Sequence, residues 1–288
     1  MEIRLKAAGK INLLLDINGI LPNGYHSILT CMQSVSLYDE ITVTRTNGNR
    51  VTISCDKNYA PADETNLAVR AAKKFFEALG REDGLHIDLK KHIPAGAGMG
   101  GGSADAAAVL VGLNEIYSQP FEQSELLSLG AALGADVPFC MLGGTRFCMN
   151  KGEIMAPLPN LTGYSIALVK PEVDVSTKNA YSLLDAAEGL RHPDWQSFVF
   201  FASCGDFERM LSYCDNIFEQ AVEVHDRIEI KAIMRRFGAT AAMMTGSGSA
   251  VFGLFSDSEN AAGCAGELRK KWEEVFLAEP TARSIEIL

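Results

Sequence analysis

Five glycines fall within the seven positions Gly96-Ala97-Gly98-Met99-Gly100-Gly101-Gly102, and an Ala-rich run of helical character follows. Glycine lacks Cβ, so a ligand can approach the backbone and φ can turn positive. A helix that starts just after such a loop offers unpaired N–H groups and the positive end of its dipole. The combination is an anion site, most naturally for phosphate. Ser103 follows at once, placed to cap the helix or to offer its hydroxyl to phosphate or Mg2+.

The loop is not of the GxxxxGKS/T type, because no Lys precedes Ser103. Gly96–Gly101 does satisfy GxGxxG, but a dinucleotide fold also needs an acid about 20 residues on, at the end of the next strand. Glu115 is the nearest acid at that distance and lies in the helical run, which argues against a dinucleotide-binding oxidoreductase. Asp136, in Gly134-Ala135-Asp136-Val137-Pro138, has the pattern of a helix N-cap with Pro in the first turn. Lys10 directly precedes an apolar run, a place from which a charge can project into a cleft.

These residues must be positioned by a mixed set of elements. Lys10–Ile17 reads as a mostly buried strand. Glu40–Arg45 and Arg50–Cys55 alternate around Thr46-Asn47-Gly48-Asn49, which predicts a hairpin. Thr65–Leu79 reads as a helix closed by Gly80, and Leu85–Leu89 as a strand. Helices follow the glycine loop to about Tyr117 and span Glu122–Leu133, and a strand-and-turn region runs to about Pro159. A new strand starts at Tyr164–Val169. Ala241–Phe255 reads strand, glycine loop, strand; Asn260–Phe276 reads helix; Ser284–Leu288 reads strand. The stripe Trp195, Phe198, Phe201 reads as core or a subunit contact. Strands and helices mix without strict alternation, so the class is α+β. A boundary near 158 predicts two domains, 1–158 and 159–288.

Composition narrows the function. The 288 residues carry a formal net charge of −10, which disfavours binding a nucleic-acid backbone. No apolar stretch approaches the roughly 18 residues of a membrane span, and the N-terminal segment does not read as a signal peptide. The seven cysteines are scattered without a CxxC pair, which disfavours zinc or a disulfide framework and fits a reducing cytoplasm.

Pro94–Ala108 (PAGAGMGGGSADAAA) resembles the phosphate-binding motif of the galactokinase, homoserine, mevalonate and phosphomevalonate (GHMP) kinase family. Gly9–Ile17 with Asn23-Gly24-Tyr25-His26 resembles the start of the branch of that family that acts on a cytidine-diphosphate-linked sugar alcohol. Thr245-Gly246-Ser247-Gly248-Ser249 resembles its C-terminal glycine motif. Ala104, Asn23, and Ser249 with Ala250 depart from the usual Ser, Asp and Pro-Thr, and Asn150-Lys151-Gly152-Glu153 is a loose Gly-x-Gly-Glu turn.

The resemblance implies a two-domain α+β fold, with a ribosomal-protein-like N-terminal domain and a ferredoxin-like C-terminal domain. It implies an ATP- and Mg2+-dependent kinase, monomeric or homodimeric, that phosphorylates a hydroxyl of a cytidyl diphosphate sugar alcohol. Asp136 is then the base and Lys10 its cationic neighbour. Pro94, Ala95, Gly96, Ala97, Gly98, Met99, Gly100, Gly101, Gly102, Ser103 and Ala104 hold the ATP phosphates. Asn66 and Lys91 flank the adenine and ribose. Asn12, Tyr25, His26, Tyr181, Thr245 and Gly246 face the second substrate. A Tyr face can stack on cytosine, and a neutral His offers one donor and one acceptor to its edge. Homoserine- or mevalonate-type kinases and a catalytically dead ligand sensor are the alternatives on the same fold; retention of Asp136 and Lys10 argues against the sensor.

Overall fold

The computed structural model describes residues 1–22 and 24–288; Asn23 of the Asn-Gly-Tyr-His motif lies outside the described residues. The chain begins with two long strands, β1 (Glu2–Ile20) and β2 (His26–Thr46), paired antiparallel. Then come β3 (Val51–Cys55), α1 (Leu67–Leu79), β4 (Gly84–Lys90), α2 (Gly101–Ile116), α3 (Gln123–Ala131), α4 (Val137–Leu142), β5 (Thr145–Asn150) and β6 (Ile154–Pro157). The later part contains β7 (Ser165–Lys170), α5 (Thr177–Asp185), α6 (Trp195–Ser203), α7 (Phe207–Ser212) and a short 3-10 turn at Ile217–Gln220. It ends with α8 (Arg227–Arg236), β8 (Ala241–Met244), β9 (Val251–Phe255), α9 (Ser258–Leu268), β10 (Glu274–Ala278) and β11 (Ile285–Ile287).

The first sheet runs β11-β1-β2-β4-β3, with β5 and β6 continuing from β2. β2 is long enough to pair β5 through Ile28–Gln33 and β4 through Glu40–Thr46. The expected hairpin around Asn47-Gly48 does not form: β4 lies between β2 and β3, and β3 pairs β4 in parallel. Burial explains the order. Leu85, Ile87 and Leu89 of β4 are fully buried, whereas β3 is at most half-buried and takes the edge. Local turn chemistry reverses the chain but does not choose the partner strand.

The second sheet runs β10-β7-β9-β8, with all neighbouring pairs antiparallel. The helix expected over Asn260–Phe276 stops at Leu268, and its final residues become edge strand β10, which buries Val275 and Ala278. A short helix, α4, occupies part of the region read as strand and turn. The division at residue 158 is also incomplete, because β11 returns to pair β1. One apolar core joins the first sheet to Ile166, Leu168 and Phe252 of the second and to Phe198 of α6. Trp195 stacks on Phe147 and Phe201 on Tyr213, so that aromatic stripe packs inward.

A smaller cluster fixes the cleft's far wall. Leu15 and Ile17 of β1 pack with Ala180 and Leu184 of α5 and with Phe218. This holds α5 above the junction of β1 and β2.

Candidate active site

A cleft of about 1250 Å³ lies between the β1–β2 ribbon, the glycine loop and α5. β1 brings two polar residues into it. Its register against β2 shifts between Ala8 and Gly9 and again between Asn12 and Leu14. Such irregularities re-aim side chains. Lys10 and Asn12, two residues apart, share one face. The buried Lys10 Nζ donates to Asn12 Oδ1 at 2.8 Å and lies 3.6 Å from Asp136 Oδ2. Asn12 Nδ2 donates to Thr30 Oγ1 at 2.9 Å, and that hydroxyl donates to the Leu14 carbonyl at 2.6 Å. A buried ammonium needs partners, and these oxygens supply them.

Asp136 occupies the N-cap position of α4 with Pro138 in the first turn, yet its side chain makes no capping hydrogen bond. The carboxylate is 35% exposed and turned toward Lys10. The backbone role and the chemical role therefore coexist.

The glycine loop lies directly on β1, where Lys10 N–H donates to the Met99 carbonyl at 2.9 Å. Gly96, Gly98 and Gly100 all have left-handed φ, +59°, +72° and +71°. A Cβ on Gly100 would stand 3.4 Å from Lys10 Cε and 3.7 Å from Asp136 Oδ2, so the space beside the pair exists only because no side chain fills it. Gly100 is also the N-cap of α2 and has no capping side chain. Ser103 is therefore not the cap; it is inside the first turn, with a half-buried side chain on the cleft wall. The first N–H groups of α2 are left for a ligand. These features fit a polyphosphate. Ala104 is fully buried behind the loop and does not line the cleft.

The second glycine loop buttresses the first. The buried Thr245 accepts the Asn12 N–H at 3.0 Å, and its hydroxyl lies 3.5 Å from the Gly98 carbonyl. A Cβ on Gly98 would collide with the Thr245 carbonyl, and one on Gly246 would stand 3.0 Å from the Gly98 carbonyl. Gly246 reaches the cleft wall; Thr245 does not.

Asn66 and Lys91 border the other end of the cleft. Asn66 caps α1, accepting the Ala68 N–H at 2.9 Å and donating to the Pro61 carbonyl at 2.7 Å. Lys91 is buried and its ammonium bridges the carboxylates of Asp39 and Asp105. Burial works against that ammonium, but the two acids outweigh it and raise its pKa.

Beside α5, His26 Nε2 stands 2.8 Å from Asp185 Oδ1, and its ring lies 4.4 Å from Tyr181, tilted by 32°. Tyr181 meets Phe218 edge-on. Burial, with Asp136 and Asp185 adding to it, pushes the Tyr181 phenol up to about 12, so it stays neutral. One face of Tyr181 is covered by His26 rather than left open. Tyr25 is exposed, with Lys151 Nζ 5.3 Å above its ring. The sequence gives Asp39 and Asp185 no role, and it shows Asp105 and Lys151 only as members of longer motifs. The available signal was an acid set in a buried strand or an Ala-rich helix, where it must find a partner.

Among the described residues, no group of three or more His, Cys, Asp or Glu side chains is arranged to hold a metal, and no helix is long and apolar enough to cross a membrane.

The family described as GHMP kinases N terminal domain matches residues 66–144, and that described as GHMP kinases C terminal matches residues 204–274. The chain is 42% identical over 262 residues to a protein of Lachnoclostridium phytofermentans named 4-diphosphocytidyl-2-C-methyl-D-erythritol kinase, with 90% of each chain covered. It is 39% identical over 277 residues to a protein of the same name from Clostridium beijerinckii, covering 96% of this chain and 99% of that one. A crystal structure of 4-(cytidine 5'-diphospho)-2C-methyl-D-erythritol kinase superposes with a TM-score of 0.78 at 31% identity, covering 96% and 98% of the two chains. Homoserine kinase from Cytophaga hutchinsonii shares the fold, with a TM-score of 0.80 at 20% identity and coverage of 100% and 97%. With both halves matched in order and relatives this close along nearly its whole length, the chain belongs to the GHMP kinase family and is an ATP-dependent kinase.

Proposed function

We propose that this kinase transfers the γ-phosphoryl group of ATP to the 2-hydroxyl of 4-diphosphocytidyl-2-C-methyl-D-erythritol, a step of non-mevalonate isoprenoid precursor synthesis. The observation that carries the chemistry is the Lys10–Asp136 pair, set against a glycine loop whose helix N-terminus has no capping side chain. The relatives' names carry the choice of substrate.

Phosphoryl transfer needs positioning and charge stabilisation more than covalent chemistry. The loop from Pro94 to Ser103 receives the phosphates on its N–H groups. Asp136 accepts the proton of the attacking hydroxyl. Lys10, 3.6 Å from the Asp136 carboxylate, faces the charge that grows on the transferring group. Asn12 holds the Lys10 ammonium in place. Ser103, half-buried on the cleft wall, is the side chain that would contact a Mg2+ ion, which when bound would offset the negative charge of the phosphates. Tyr25 and His26 take the cytosine, and Tyr181 backs His26. Thr245 and Gly246 support the phosphate loop from behind. Seven unpaired cysteines fit a cytoplasmic location.

The test is incubation with ATP, Mg2+ and a panel of alcohols, following ADP release. The expected result is release with the cytidyl substrate and little with homoserine or mevalonate. Equal release with an aliphatic alcohol would overturn the substrate assignment.

A further inference from the structure

Lys91 and the two acids around it have no part in the chemistry just described, yet they are among the most deeply buried charges in the chain. Asp39 is fully buried on β2. Its Oδ1 accepts the N–H groups of His92 at 2.6 Å and Ile93 at 2.9 Å, and its Oδ2 takes the Lys91 ammonium. Asp56 Oδ1 accepts the Lys91 N–H at 2.9 Å. Asp39 and Asp56 therefore fix residues 91–93, the segment that leads into the glycine loop. The same ammonium donates to Asp105 Oδ2 at 2.5 Å. Asp105 is on α2, the helix that leaves the loop. A Cβ built on Gly101 would stand 3.4 Å from Lys91 Nζ and 3.2 Å from Ile93 Cγ2, so this cation lies against the first turn of α2.

We infer that Asp39, Lys91 and Asp105 form a clip that joins the two ends of the phosphate loop and sets the alignment of the bound γ-phosphate with Asp136. In this reading Lys91 and Asp105 are positioning residues, acting through the loop. The inference rests on the reading that the loop carries ATP. Residues 94–100 hold three left-handed glycines and carry few side chains of their own to define a shape. Charge-assisted hydrogen bonds at both ends restrict that freedom where neutral ones would do so less. Asp105 Oδ1 has no hydrogen-bond partner among the described residues, so all of this carboxylate's side-chain bonding goes to the clip.

Asp105→Asn tests the idea, because it keeps an oxygen that can accept from Lys91 while replacing a charge-assisted hydrogen bond by a neutral one. It also removes negative charge near the phosphate site, so simple electrostatics predicts unchanged or tighter ATP binding. The clip predicts something else. kcat should fall by at least about tenfold, within the range that ångström-scale misplacement of reacting groups costs. KM for ATP should not rise in proportion, the variant should still be fully folded at the assay temperature in a thermal melt, and amide hydrogen exchange over residues 94–101 should speed up in the nucleotide-free protein. A kcat within about twofold of the parent, or a loss of kcat matched by loss of folded protein, overturns the inference. An unmodified protein that releases no ADP would instead defeat the kinase reading, and the exchange measurement would still judge the clip.

Discussion

Lys10 Nζ stands between Asn12 Oδ1 at 2.8 Å and Asp136 Oδ2 at 3.6 Å. The amide holds the ammonium, and the ammonium faces the carboxylate across the space that Gly100 leaves open. Asn12, itself bonded to Thr30, holds the Lys10 ammonium, so β1 sets a cation against the Asp136 carboxylate that we propose as the base.

Asp136→Asn should cut turnover by about 10²–10⁴-fold, the usual contribution of a general base. The amide keeps the shape and loses the base, so ATP binding should be nearly unchanged. Steady-state kinetics with a nucleotide titration checks this, and turnover within a few-fold of the parent would remove Asp136 from the role. Lys10→Met should also impair turnover; an effect on ATP affinity alone would make Lys10 a nucleotide contact.

Thr245→Val should lower stability by about 1–3 kcal/mol, because it strands the buried Asn12 N–H that the hydroxyl accepts. The same change loosens the support beneath Gly98, so turnover should fall with it. Denaturant unfolding and kinetics on one preparation decide the matter. A raised KM for the cytidyl substrate with unchanged stability would make Thr245 a direct contact instead.

Asp83 gives a pH signature remote from the cleft. A hydrogen bond from Tyr117, helped by Arg45 and Arg81, outweighs burial and holds its carboxyl below the ordinary aspartate range. A depressed folded pKa stabilises the protein above the unfolded value of about 3.9 and ceases to do so as pH falls through the lower folded value. Asp83→Asn should therefore be less stable than the parent at neutral pH, and the gap should close in acid. Urea midpoints across a pH series test this. A gap that stayed constant would assign the effect to shape rather than charge.

What was legible in the sequence follows from how local each signal is. Gly80 closes α1 where the sequence places its end, in a left-handed turn at φ +69° that a residue without Cβ permits, whereas the helix starts at Leu67 with Asn66 as its cap, two residues inside the expected start at Thr65. The glycine loop announced itself because few structures other than an anion cradle need so many glycines. Strand partnership was not legible: Asn47-Gly48 marks a reversal, and only the deeper burial of β4 puts that strand beside β2. Lys270–Phe276 reads as helix because it has no Gly or Pro to stop one, and the pairing of β10 with β7 is decided by chain far away. Asp39 and Asp105 give no local signal of their pairing, because their shared partner Lys91 lies 52 and 14 residues away, beyond the reach of any helix or turn pattern.

If His26 reads the base as we propose, its pairing with Asp185 would set which base is preferred. A carboxylate only accepts hydrogen bonds, so Nε2, at 2.8 Å from Asp185 Oδ1, carries the proton. In the neutral ring Nδ1 is then an acceptor. An acceptor suits the exocyclic amino group of cytosine and is repelled by the carbonyl at the same place on uracil. Removing Asp185 frees the tautomer, and the imidazole can then serve either base. Asp185→Ala should therefore reduce the preference for CDP over UDP derivatives by about fivefold, the value of one hydrogen bond near 1 kcal/mol. KM for ATP should not change, since Asp185 is on α5, away from the phosphate loop. His26→Ala should lose both affinity and preference, whereas Tyr25→Ala should lose affinity alone, because stacking on a ring does not distinguish bases. Calorimetric titration of the three variants with both nucleotides gives the comparison. If Asp185→Ala kept the full cytosine preference while His26→Ala lost it, His26 would read the base without help from the carboxylate.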